Sequence, residues 1–308
     1  MEAGGPAVVH HAEERTDLSS VAYVSAASPR GGRRGFDAKP VVVFFVLAYT
    51  FSWAWVIPWT ATGHTVYEGH GWPTHFPSVL GPMLAAFVVT AWTAHRRGIR
   101  ALSAAMIRWR IGWRWWIAAV SPLLCLVVVL GVLKVSGART PPLDDFARFS
   151  GVPAGLGIVG VTLVIILVDG LGEETGWRGY AQPQLQRRFG PITATLIIAL
   201  LWAGWHFPLF FFLDSYKGFK APMLPVFVLG LACGALILTW MYNHTGSILA
   251  VAVWHGLYDM TGGTKGASES SGVISAAIWT FVVIMAITLL VLEHRARRSD
   301  RPSILAAS

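Results

Sequence analysis

Long apolar runs alternate with short polar stretches along this chain, and the runs have nearly one length. A bilayer hydrocarbon core is about 30 Å thick, and a helix needs about 20 mostly apolar residues to cross it. Eight stretches approach that length: 40–61, 76–95, 115–135, 151–172, 190–213, 222–242, 247–262 and 272–292. The fold class this predicts is all-α, a polytopic transmembrane helix bundle of about eight spans. The fourth and seventh stretches depart from the pattern, because ionisable residues interrupt their apolar character. No internal repeat is visible.

Composition agrees with the pattern. Of 308 residues, 54% are hydrophobic and only 13% charged, about half the charged share of a soluble domain. The net charge of +8 falls in the loops between apolar runs, where it orients the protein and attracts anionic headgroups rather than nucleic acid. With the N-terminus placed in the cytoplasm, 17 Lys and Arg fall on the inner side and 6 on the outer. That asymmetry predicts a multi-pass protein of the cell membrane with both termini cytoplasmic. Residues 1–38 read as a flexible polar tail without the apolar core of a secretory signal. Residues 39–293 then form the membrane domain, and 294–308 a basic, solvated tail. Trp113, Trp115, Trp116 and Tyr242 sit near span ends, where aromatic rings favour the headgroup boundary. Cys125 and Cys233 lie within apolar runs and read as buried free thiols.

The chemistry is expected where charge is most costly. Ionisable groups at membrane depth usually face a protein interior or a wet cavity. One such segment is Asp169-Gly-Leu-Gly-Glu173-Glu174-Thr-Gly-Trp-Arg178. On a helix Glu174 and Arg178 are spaced to pair, while Glu173 points about 100° away from Glu174. Glu173 is then free to face a cavity as a general base. A plain alternative is that the segment is the cytoplasmic end of a span. A second segment places His206 in Trp202-Ala-Gly-Trp-His206. A third, His255-Gly-Leu-Tyr-Asp259, sets His255 and Asp259 on one helix face. Asn243-His244 reads as turn or cap structure. Converging, these groups could activate water and stabilise an oxyanion. They could also bind a metal such as zinc, although no His-Glu-x-x-His helix is present.

Glu-Glu-x-x-x-Arg, aromatic-x-x-x-His and His-x-x-x-Asn/Asp, in that order on successive membrane helices, resemble the CPBP family. It comprises the CAAX prenyl proteases and the bacteriocin-processing or immunity proteins, and is also called Abi. The resemblance covers about residues 150–262. It implies intramembrane hydrolysis of peptide bonds in a membrane-associated peptide or lipid-anchored protein. Glu173 and His206 would activate the water, His255 and Asp259 would serve the oxyanion, and Glu174 and Arg178 would shape the site. Both a divalent metal such as zinc, on Glu173, His206 and His255, and a metal-free glutamate mechanism are argued for the family. The chain departs from the family pattern at Trp202, where Phe is usual, and at Asp259, where Asn is frequent. An ionised carboxylate cannot donate to an oxyanion, so Asp259 is expected to orient His255. The alternatives are a non-enzymatic immunity or regulatory protein of the same superfamily and a proton-coupled transporter. The latter would show two matching halves with broken helices, which the sequence lacks.

Overall fold

The structure is a computed structural model that describes residues 36–269 and 272–307. The expected tail 1–38 therefore lies almost wholly outside the described residues. Among them there is no strand, only two isolated bridges, Val66 with Leu213 and Glu68 with Ser150. The helices are α1 (Ala38–Ala61), α2 (Gly81–Met106), α3 (Trp113–Ala119), α4 (Ser121–Val135), α5 (Gly157–Val164), α6 (Leu171–Gly176), α7 (Gln182–Trp205), α8 (Leu224–Thr245), α9 (Ile248–Gly263) and α10 (Val273–Arg298). Five helical runs are long and apolar enough to cross a membrane, and a sixth forms if α3 and α4, bent by 57°, are taken as one.

The longest of these runs, Ala154–Phe212, has 59 residues. Straight, it would reach about 88 Å, so it must turn back. It does so at Gly190, where φ 72° is followed by Pro191. A glycine tolerates that dihedral and the proline cannot continue the preceding helix. The ascending arm is one helix from Gly157 to Phe189, passing through π-helical turns at Ile165–Gly170 and Trp177–Ala181. Glu173 is 16 residues from each end of this arm, about 24 Å along the axis. The expected span end at residue 172 is thus corrected. The acidic motif lies midway along the arm and is buried, rather than at a helix end.

The turn into α9 is built by Gly246, left-handed at φ 58°, and by Ser247, whose hydroxyl accepts from the Ala250 amide. These are the usual C-terminal and N-terminal caps. Asn243, expected in that turn, instead sits buried in the last turn of α8. It donates to Leu305 O at 2.5 Å and accepts from Gln182 Nε2 at 3.0 Å. The C-terminal tail is mostly exposed but folds back at one point: helix α10 runs on to Arg298, and Leu305 is fully buried. Buried Glu293 folds the tail back by accepting from Ser303 Oγ and the amides of Ile304 and Leu305.

At the opposite end of the bundle, three loops form a cap. Val66 and Glu68 bridge to Leu213 and Ser150, Ser150 Oγ is 3.1 Å from Ser215 Oγ, and Lys217 donates to Thr65. The bundle's outer faces expose Val42, Val46, Val127, Val128, Leu196 and Leu200, which suits lipid rather than water.

Candidate active site

The arm carrying Glu173 reaches its position through glycines. A Cβ on Gly170 would lie 2.5 Å from Ala252 O, on Gly172 2.7 Å from Val79 O and on Gly176 2.7 Å from Pro82 O. One on Gly256, beside His255, would lie 2.8 Å from Ile166 Cα. Small residues permit this backbone approach between membrane helices. The effect is to press α6 against both α2 and α9, with the side chains between the glycines directed inward. π-Helical turns are frequent at functional sites, and here one precedes and one follows the Glu-Glu pair.

Glu174 and Arg178 are both fully buried and meet at 2.9 Å. His255 brings Nδ1 to 2.9 Å from the same Oε1. The N–H vector is off line there, making this a charge contact more than an aligned hydrogen bond. On its other side His255 Nε2 is 3.4 Å from Asp259 Oδ2. The imidazole therefore lies between two carboxylates. Glu174 Oε2 and Arg178 Nε and Nη2 have no hydrogen-bond partner.

Glu173 turns the other way and meets two indoles. Trp202 Nε1 donates to Oε2 at 2.5 Å and Trp177 Nε1 at 3.3 Å. Oε1 has no hydrogen bond among the described residues. His206 closes the C-terminal end of α7, with Nδ1 2.7 Å from Trp202 O. That contact assigns the proton to Nδ1 and leaves Nε2 an open acceptor. Trp202 touches Glu173, Arg178, His206 and His255. Its ring lies 5.3 Å from His255 edge-on, 5.7 Å from His206 and 4.9 Å beneath the Arg178 guanidinium. The structure thus brings Glu173, Glu174, Arg178, His206, His255 and Asp259 around one indole. In the sequence Trp202 stood out only as a departure from the family's Phe, and Trp177 carried no signal, although Glu173 and Trp177 are one turn apart.

Two further groups escaped the sequence. Buried His75, from the loop before α2, sets Nε2 3.8 Å from Asp169 Oδ1, an oxygen without a hydrogen bond. Tyr216 belongs to the capping loop, where burial and then the charges of Asp259 and Glu173 push its phenol above the usual range. Its ring packs 6.2 Å from Phe227, which stands 5.4 Å from His206. His75 and Tyr216 lie in polar loops, where depth arguments do not operate.

Among the described residues no group of three or more His, Cys, Asp or Glu side chains is gathered closely enough to hold a metal ion. The set Glu173, His206 and His255 does not form a donor cluster. One glutamate oxygen is occupied by indole N–H groups, and His255 is turned to two carboxylates.

Residues 155–261 match the family described as type II CAAX prenyl endopeptidase, Rce1-like. Over 140 residues the chain is 32% identical to "CAAX prenyl protease 2" of Methanococcus maripaludis, covering 41% of this chain and 48% of that protein. The chain therefore spans about half the length of the curated relative it matches. The matched segment contains every residue of the Trp202-centred set.

Proposed function

From the match of residues 155–261 to the Rce1-like CAAX prenyl endopeptidase family, we propose that the protein is an intramembrane endopeptidase of that kind. Its substrate would be a membrane-associated or lipid-anchored peptide, cut by a water that Glu173 and His206 activate. The supporting observation is the complementary state of these two residues on one indole. Trp202 holds one oxygen of Glu173 and, through its carbonyl, Nδ1 of His206. Each keeps one lone-pair atom open, Oε1 and Nε2.

A water donating one O–H to each atom would be held with its oxygen toward the scissile carbonyl. Glu173 takes a proton as the oxygen bonds to the carbonyl carbon. The carbonyl oxygen becomes the oxyanion. Glu173 then returns the proton to the amide nitrogen as the C–N bond breaks, leaving a new carboxyl group and a new amine. Proton transfer by one positioned group in both steps is ordinary general base and general acid catalysis. His255, held at Nδ1 by Glu174, would turn its Nε2–H from Asp259 to the oxyanion. Arg178 neutralises Glu174, so the site does not carry two adjacent free carboxylates. The donor geometry favours this metal-free route.

The test is cleavage of a prenylated CAAX peptide by the purified protein in proteoliposomes. Glu173→Gln, Glu173→Ala and His206→Ala should abolish cleavage while membrane insertion is retained. Undiminished cleavage by all three would rule out the assigned chemistry. No cleavage by the wild type, with Glu173→Gln harmless to a protective phenotype, would favour an immunity role. Elemental analysis should find no stoichiometric metal, and chelators should leave activity unchanged.

A further inference from the structure

A second concentration of polar groups lies where α2 leaves the apolar zone, remote from the residues above. Trp92 marks the level. It is half exposed, and Lys39 Nζ sits 5.9 Å from its ring centroid. Three residues on, His95 adopts φ 50° and ψ −151°. That conformation is sterically costly for a residue with a Cβ and persists only where its surroundings impose it. The helix resumes at Arg96 in a new direction. A groove of about 400 Å³ opens beside the break, lined by Ala91, His95, Arg96, Ile99 and Arg100. No acidic residue lines it, and neither Arg96 nor Arg100 pairs with a carboxylate among the described residues. The nearby Asp37 carboxylate is engaged in capping α1 through the Lys39 amide.

Leu84, Val88 and Trp92 are each about half exposed, and spaced by four they form one stripe on α2 that ends at the His95 break, just short of the groove. A guanidinium pair at the end of an apolar stripe, at the depth an indole selects, fits a ligand that is anionic at one end and hydrocarbon at the other. Arginine's planar fork matches phosphate oxygens. A soluble phosphate would use the arginines but gain nothing from the stripe.

We propose that this groove binds the phosphate headgroup of an anionic phospholipid, between Arg96 and Arg100, with an acyl chain along Leu84, Val88 and Trp92. The site is separate from the peptidase reading and does not depend on it. His95, held in its strained turn, opens the groove and faces the same phosphate.

The experiment is native mass spectrometry of the full chain, released from detergent after incubation with phosphatidylglycerol or phosphatidylcholine. Phosphatidylglycerol should be retained and phosphatidylcholine should not. One basic residue near an anionic surface is worth about fivefold in affinity. Arg96→Gln with Arg100→Gln should therefore weaken retention by about thirtyfold. Arg96→Lys with Arg100→Lys, which keeps the charge and guards against misfolding, should lose less than tenfold by the same scale. Arg295→Gln with Arg298→Gln removes equal charge elsewhere and should leave retention unchanged. Retention undiminished by the Arg96 and Arg100 pair would overturn the proposal. So would equal loss with the Arg295 and Arg298 pair, which would mean diffuse charge only. Displacement of the lipid by millimolar glycerol phosphate would overturn it too, by making this a soluble-phosphate site.

Discussion

Two buried carboxylate centres in this protein are solved in opposite ways. At the foot of α10, Glu293 accepts from four donors. Arg297 Nε binds Oε1 at 2.6 Å, and Ser303 Oγ and the amides of Ile304 and Leu305 bind Oε2 at 2.9, 2.9 and 3.3 Å. Nothing on that carboxylate remains to be satisfied. In the bundle centre, Glu174 leaves Oε2 bare, Arg178 leaves Nε and Nη2 bare, and Asp169 leaves Oδ1 bare. Buried polar atoms without partners are rare and costly. Saturation marks a carboxylate that holds the chain together. Under the proposed mechanism, open valence marks the centre where water and substrate would be held. Burial alone would not have separated them, since Glu293 is 2% exposed and Glu173 5%.

Substitutions should break this symmetry of burial in a graded series. Apart from substitution of Glu173 itself, the largest effect is expected from His206→Ala, which removes one of the two acceptors proposed to hold water. Cleavage should fall about 10³-fold, measured as single-turnover rate in proteoliposomes, with the melting temperature little changed. Next comes Glu174→Gln, which strands the buried Arg178 charge. Stability should drop by about 3–5 kcal/mol, read from denaturation in detergent. Adding Arg178→Met should recover most of that stability without recovering cleavage, since the pair also fixes His255. Trp202→Phe keeps the ring and deletes the donor to Glu173. A hydrogen bond to a charged group is worth about 1.5–3 kcal/mol, so kcat should fall at least tenfold while KM moves little. The smallest effect is expected from Glu293→Gln. It should loosen the tail by about 1 kcal/mol and speed proteolysis near Ser303. Cleavage per folded molecule should be unaffected.

The sequence carried much of this, for identifiable reasons. Helices were legible because membrane spans have a fixed length, and Glu174 with Arg178, and His255 with Asp259, because a helix brings residues four apart onto one face. Residue 172 was a poor boundary because charge ordinarily ends a span. Here Gly170, Gly172 and Gly176 let neighbouring helices shield the charge instead. Trp202 was read by its ring, while its N–H decides its role, and donors to a distant carboxylate leave no local signature. Leu305 escaped because a short apolar pair after a run of arginines looks solvated. Its burial depends on Glu293, 12 residues back on α10, and on Asn243, 62 residues away on α8. His75 reaches Asp169 from a loop with no periodicity to reveal it.

The central claim is that Glu173, not burial of charge in general, performs the chemistry. The most direct measurement compares wild type, Glu173→Gln and Glu293→Gln side by side, as cleavage of one farnesylated CAAX peptide in proteoliposomes of equal protein content. Wild type and Glu293→Gln should release product at the same rate per folded molecule, and Glu173→Gln should release none. Product from Glu173→Gln at the wild-type rate would contradict the claim.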